Sequence, residues 1–414
     1  MKNVLFILPW VPYPLNSGGA QGTFNGIALL EGMANAYVIV DCTESQARRG
    51  EHKLLEKVLP FVHTIPYTYP ASRHTLRWYW RALCNKLGLR KSAKTMALEQ
   101  QPHEDLVGLY REPLRGFSLD KQNFILDCIQ RYHIDVVQAE YAECIRAVEF
   151  LPETVKKIFI NHELRYVRDE LLAKQNPNVT EADWDLLRKK KQQEVELMNR
   201  YDTVITVSAI DADKIREAGV TKEVLPSFSV ISDKLKAVET SSVKKILSYV
   251  GPEGHFPNYD GVMWFLQNCW EKLMAKDPDY IFQIIGNWSK ETADAIATTY
   301  PGVQCVGFVD NLAEAIVGTT MIVPLNIGSG IRMKILEAAR LNVPVVATPV
   351  GAEGLAIEDG VHAYITADPE EFVEDILKLQ DAKVRQRFVE ATNETIAKKY
   401  SLQALREQRT YLYS

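Results

Sequence analysis

Along this chain, short runs of β-branched and apolar residues alternate with stretches of helical length, and the alternation starts twice. Residues 4–8, 36–40, 136–139, 157–161 and 203–207 form the first series of strand-like runs, each followed by a turn or a helix-like segment. Runs apolar on both faces belong in a sheet covered by helices on either side, which is the habit of parallel sheets. A second series begins afresh at 246–250 and continues through 280–285, 304–306, 320–324, 343–348 and 363–365. Between them, residues 227–245 mix Ser, Lys and Val without clear periodicity, so the domain boundary is expected there. A chain of 414 residues is also longer than one core usually serves. The expected architecture is α/β: two Rossmann-like, doubly wound parallel-sheet domains facing a central cleft. Their expected extents are 1–228 and 229–395, with a C-terminal helix at 396–414 that packs back on the first domain. Ligands of such sheets bind beyond the carboxyl ends of the strands.

Composition narrows the function without choosing it. A hydrophobic fraction of 46% and a charged fraction of 24% are ordinary globular values, and a formal charge of -5 gives no reason to expect nucleic acid as a partner. Cys42, Cys84, Cys128, Cys144, Cys269 and Cys305 are scattered, with no Cys-x-x-Cys pair and no metal-ligand spacing, which suits a reducing cytoplasm. The apolar N-terminal run breaks at Pro9, Pro12 and Pro14, so a first buried strand is a better reading than an export signal. No segment approaches the ~20 apolar residues of a membrane span.

The most chemically loaded stretch runs from Pro324 to Gly354, a strand end, a glycine turn, a helix and a second strand. In such a βαβ unit, backbone N–H groups and the positive end of a helix are placed where a phosphate can sit. Lys334 and Glu337, three apart, share a helix face: a cation for a diphosphate and a carboxylate for sugar hydroxyls. Each feature also has a plain explanation. Gly328-Ser329-Gly330 could merely allow a tight turn, and the spacing is neither Gly-x-Gly-x-x-Gly nor a P-loop. Lys334 alone would be a solvated lysine. Glu337, between Leu336 and Ala338 on a helix expected to be buried, needs a partner there. A second glycine turn, Gly18-Gly19-Ala20, follows the first strand and faces the expected cleft, or is a simple loop. His162 stands at the polar end of the strand-like run 157–161, where a histidine is a candidate for chemistry rather than packing.

Residues 324–355 resemble the donor-binding signature of the retaining glycosyltransferases of family 4, which have the two-domain GT-B fold. Other parts fit in the same order: the Gly18-Gly19-Ala20 loop, the His162 strand end, the stretch from Asp202 to Ser208, and Gly251 followed by Pro257-Asn258 and Trp264-Phe265. Gly307, Phe308 and Val309 resemble the family's loop that contacts the nucleotide base. The resemblance implies metal-independent transfer of a hexosyl group from a nucleotide sugar to an acceptor hydroxyl with retained anomeric configuration, in surface polysaccharide or glycoconjugate assembly. The nucleotide sugar is a substrate, and no cofactor is implied. The first domain would bind the acceptor and the second the donor. Gly328, Ser329, Gly330, Lys334, Glu337, Gly307, Phe308, Val309 and Asn258 would hold the donor, and Gly18, Gly19 and Ala20 would serve as acceptor or phosphate loop. His162, Lys334 and Arg332 would act catalytically, the cations stabilising the leaving diphosphate as the sugar becomes oxocarbenium-like.

The departures from the family pattern are specific. The common signature has two glutamates; the second matches Glu337, but the first falls on Ser329. The common Gly-Arg-x-x-x-x-Lys pair is also missing, because the chain reads Gly251-Pro-Glu-Gly-His255-Phe-Pro-Asn258. Arg332 with Lys334 is the expected replacement charge. These departures keep open a rival reading, a nucleotide-sugar or glycan-binding scaffold of the same fold without catalysis. Asp211 and Asp213 have the bare spacing of a metal-binding pair, but helix capping after Ser208 explains them better, so no metal is expected. Finally, residues 73–94 hold seven Lys or Arg, two Trp and no acid. Arg73, Arg77 and Arg81 recur at helical spacing beside Trp78, which suits an anionic membrane surface and a lipid-linked or glycan acceptor. The alternative is a solvated helix with its aromatics packed on the domain. The expected location is cytoplasmic, with peripheral attachment to the inner face of the membrane if the first alternative holds.

Overall fold

The computed structural model describes residues 1–15, 18–69, 110–228, 237, 242–328 and 330–414. The first sheet contains β1 (Lys2–Ile7), β2 (Ala34–Thr43), β3 (Val62–Tyr69), β4 (Val136–Glu140), β5 (Lys156–Asn161), β6 (Thr203–Thr206) and β7 (Glu223–Pro226). All pair in parallel, in the order β3-β2-β1-β4-β5-β6-β7. The second sheet contains β8 (Ile246–Val250), β9 (Ile281–Ile285), β10 (Val303–Gly307), β11 (Thr320–Val323), β12 (Val345–Ala347) and β13 (Tyr364–Ile365). It too is parallel, in the order β10-β9-β8-β11-β12-β13. The chain winds outward in one direction from β1 and in the other from β4, and does the same from β8 and β11. Each sheet therefore has a switch point, where crossover connections part and leave a crevice.

The unbroken apolar run of β1 follows from this position. Leu5 and Ile7 enter one core with Ile125 and Met198, while Val4 and Phe6 enter another with Ile27 and Leu30 on the opposite face. A central strand with helices on both sides buries both of its alternating sets.

The first sheet has two more strands than expected. β3 contains Pro66, and β7 is four residues ending in Pro226. Both are edge strands, where a missing N–H costs least and the apolar signal is weakest.

After a long helix at Ala382–Lys399, the chain crosses back to the first domain. The helix Leu402–Arg409 and the turn Thr410–Leu412 deliver Leu405, Leu412 and Tyr413 into the core beneath the first sheet. The buried Arg409 guanidinium donates to Ser227 Oγ (2.8 Å) and to its carbonyl (3.0 Å). Among the described residues, no helix is long and apolar enough to cross a membrane.

Candidate active site

The carboxyl ends of β1, β4 and β5 face those of β8 and β11. Leaving β11, the chain reaches Gly330 and then the helix Met333–Arg340. Gly330 has φ +75°, and a Cβ there would lie 2.3 Å from the His162 carbonyl oxygen. The glycine turn thus admits the backbone of the other domain, a close approach that the sequence could not distinguish from a ligand's. The first turn of Met333–Arg340 also meets the helix Gly18–Ala28, since a Cβ on Gly18 would be 2.6 Å from Met333 Cβ. Gly18, Gly19 and the buried Ala20 are therefore not a loop, as expected, but the opening turn of that helix. Two helix N-termini converge here, and their partial positive charges favour an anion between them.

Lys334 projects from this junction. Its Nζ donates to Tyr249 Oη (2.8 Å) and Asn258 Oδ1 (3.0 Å) and lies 4.1 Å from the centre of the Tyr249 ring. Burial, helped by the nearby Arg332 charge, brings its pKa down to about 7. Asn258 is fully engaged: it also accepts from Tyr249 Oη (2.7 Å) and donates to the Pro252 carbonyl (2.9 Å), so in this state it positions Lys334. One turn on, Glu337 accepts from Gln21 Nε2 of the other domain at 2.6 Å, and burial raises its pKa. Arg332 is buried and donates to the Gly330 carbonyl (3.4 Å); burial lowers its pKa against the pull of Glu163, Glu353 and Asp211. Its charge is set among carboxylates at the domain junction, where Lys214 also bridges to Glu353 (2.5 Å).

Across the cleft, His162 Nε2 lies 2.7 Å from Glu140 Oε2, and the ring stacks on Tyr141 at 4.0 Å with 11° between planes. Tyr141 adopts φ 68°, ψ 155°, a backbone conformation that non-glycine residues rarely hold. Its hydroxyl donates to the Gly19 carbonyl (3.1 Å), and Trp10, 44% exposed, packs against its ring at 4.4 Å. Trp10, Tyr141 and His162 thus make a row of rings along the first domain's side.

The remaining expected residues are placed as follows. Gly307, Phe308 and Val309 lie at the carboxyl end of the edge strand β10, separated from β11 by β9 and β8; Phe308 is 59% exposed. Ser208 caps its helix by accepting from Asp211 N (2.9 Å), as the capping reading requires. Ser329, Arg73, Arg77, Trp78 and Arg81 lie outside the described residues. Glu140, Tyr249, Gln21, Tyr141 and Trp10 were missed. The only signal was two charged or amide residues, Gln138 and Glu140, at same-face positions ending an otherwise apolar strand.

Residues 244–382 match the model of a family described as Glycosyl transferases group 1. Solved structures with the GT-B fold match the chain along its whole length. Staphylococcus aureus TarM, in complex with fondaparinux, alpha-GlcNAc-glycerol and UDP, is 12% identical with a TM-score of 0.68, covering 100% of both chains. Sucrose-phosphate synthase from Thermosynechococcus elongatus is 14% identical with a TM-score of 0.67, covering 100% of this chain and 98% of its own. Anabaena HepE in complex with UDP is 12% identical with a TM-score of 0.63, covering 100% and 99%. By sequence, an uncharacterized protein of the Klebsiella pneumoniae cps region is 21% identical over 389 residues, 91% of this chain and 90% of that one.

Proposed function

We propose that this chain is a retaining, metal-independent glycosyltransferase that moves a hexosyl group from a nucleotide sugar to an acceptor hydroxyl. The observation that carries this reading is the junction where two helix N-termini converge beside Lys334, with Glu337 one turn along, inside the segment that matches the glycosyl transferases. The diphosphate sits at the helix ends, where N–H groups and the lysine meet the negative charge that grows as the sugar leaves. Glu337 exchanges Gln21 for the nucleotide's ribose hydroxyls. Arg332 supports the leaving charge electrostatically from behind Gly330. UDP is the favoured nucleotide, because TarM and HepE bind it, and surface polysaccharide assembly is the favoured setting because of the cps-region relative. Thermal-shift screening against UDP-, GDP-, dTDP- and ADP-sugars tests the donor: stabilisation by one nucleotide class is expected, and no shift with any of them would sink the reading. Stabilisation without product from any acceptor extract would favour the non-catalytic scaffold, which the serine at position 329 keeps in play.

The acceptor lies along Trp10, Tyr141 and His162, since an exposed indole face suits a sugar ring. Trp10→Ala is expected to raise the acceptor KM severalfold and leave UDP affinity unchanged; an unchanged acceptor KM would remove the ring row from the acceptor site. A glycan or lipid-linked acceptor, a cytoplasmic location and membrane contact through residues 73–94 complete the proposal.

A further inference from the structure

A chain of buried hydrogen bonds joins the C-terminal crossover to the cleft. Tyr413 Oη donates to Gln138 Oε1 (2.5 Å), and Gln138 Nε2 donates to Glu140 Oε1 (2.6 Å). The other Glu140 oxygen accepts from Thr23 Oγ1 (3.0 Å) and faces His162 Nε2 (2.7 Å). Gln138 and Glu140 are wholly buried on one face of β4, and Tyr413 is 2% exposed. An amide and a carboxylate in the middle of a sheet are costly unless each is satisfied, and here each has its partners. The crossover brings a charge as well, because Arg409 is buried near Glu140 and Tyr413, which both oppose the lowering of its pKa by burial.

The directions of these bonds are linked. Tyr413 gives its O–H to the Gln138 oxygen, so the amide turns its N–H to Glu140. That N–H holds the Glu140 carboxylate, which accepts on both oxygens, and His162 meets it with Nε2–H. Stacking on Tyr141 holds the ring in plane, and among the described residues none hydrogen-bonds its Nδ1. We propose that Tyr413 is a positioning residue that acts through Gln138 and Glu140 to fix the tautomer and orientation of His162, leaving the Nδ1 lone pair to accept from a sugar or acceptor hydroxyl. Thr23, on the helix that also supplies Gln21 to Glu337, completes the clamp. Only the kinetic consequence rests on the glycosyl-transfer reading; the tautomer does not.

The test is nitrogen NMR of histidine-labelled protein, with the His162 signals assigned by their loss in His162→Asn. Wild type is expected to show a protonated Nε2 and an unprotonated Nδ1 in the neutral ring. Tyr413→Phe, which keeps the ring packing, and Gln138→Met are expected to shift both signals toward a mixture of tautomers. Tyr411→Phe, whose hydroxyl bonds to Glu223 at the surface, is expected to leave them in place. Where turnover is measurable, Tyr413→Phe lowers kcat by roughly three- to tenfold with UDP affinity unchanged. Identical His162 signals in wild type, Tyr413→Phe and Gln138→Met would overturn the proposal whether or not a donor has been found. Should Tyr413→Phe fail to fold, Gln138→Met decides alone.

Discussion

Lys334 is the residue on which the proposed chemistry turns, because its surroundings fit a cation while burial disfavours the charge. Two oxygens and a ring face hold the ammonium, but burial and Arg332 leave it near neutrality, with a pKa of about 7. A bound diphosphate favours the charged form and raises that value. UDP binding at about pH 8 is therefore expected to take up close to one proton, an uptake that fades at about pH 5.5, where the lysine is already charged. Calorimetry in buffers of different ionisation enthalpy measures this directly; a buffer-independent enthalpy at about pH 8 would place the phosphates elsewhere. For stability the sign is the opposite of a salt-bridged lysine's. The folded pKa lies below the ordinary 10.5, so the unfolded chain holds more protons between about 7 and 10.5, and this group's contribution to stability rises with pH across that window. The residues legible in sequence were those whose local position implies a role: Lys334 and Glu337 on one helix face, His162 at a strand end. Their partners were not, because Gln21 is 316 residues from Glu337 and Tyr249 is 85 from Lys334, and no local pattern encodes such a meeting.

At the scale of elements, the close approaches are as informative as the bonds. The turn between β11 and Met333–Arg340 was read correctly as needing glycine but for a different reason, since the backbone it admits is that of His162. Gly330→Ala adds a strained left-handed conformation, costing roughly 1–2 kcal/mol, to a contact that only domain separation relieves. Its turnover is expected to fall by roughly a hundredfold with the far-ultraviolet circular dichroism unchanged. Near-normal turnover would mean that the two domains do not work in this arrangement. Strands were legible where they are central and doubly buried, as β1, β5 and β8 are. They were lost at the edges, where Pro66 and the four-residue β7 weaken the pattern. Gly18 to Ala20 looked like a loop because glycine is a poor helix former; contact with Met333 overrides that preference.

At the scale of the whole molecule, the two sheets, their order of winding and the cleft between them follow from the doubled alternation of strand and helix. Residues 396–414 are expected from sequence to return to the first domain as one helix; which side chains complete that core, Leu405, Leu412 and Tyr413 from the helix Leu402–Arg409 and the turn after it, needed the structure. That return path is a further tie between the two domains, besides the contacts in which Gln21 meets Glu337 and Lys214 meets Glu353. The cleft between the domains is proposed to transfer a sugar using the grip at Met333–Arg340. The most direct measurement is steady-state transfer from the stabilising nucleotide sugar by wild type, Lys334→Ala and Glu337→Ala, each checked by thermal unfolding. Product is expected from wild type, and a fall of at least roughly a hundredfold in both variants with little change in unfolding temperature. Transfer at the wild-type rate by both well-folded variants would contradict that proposal.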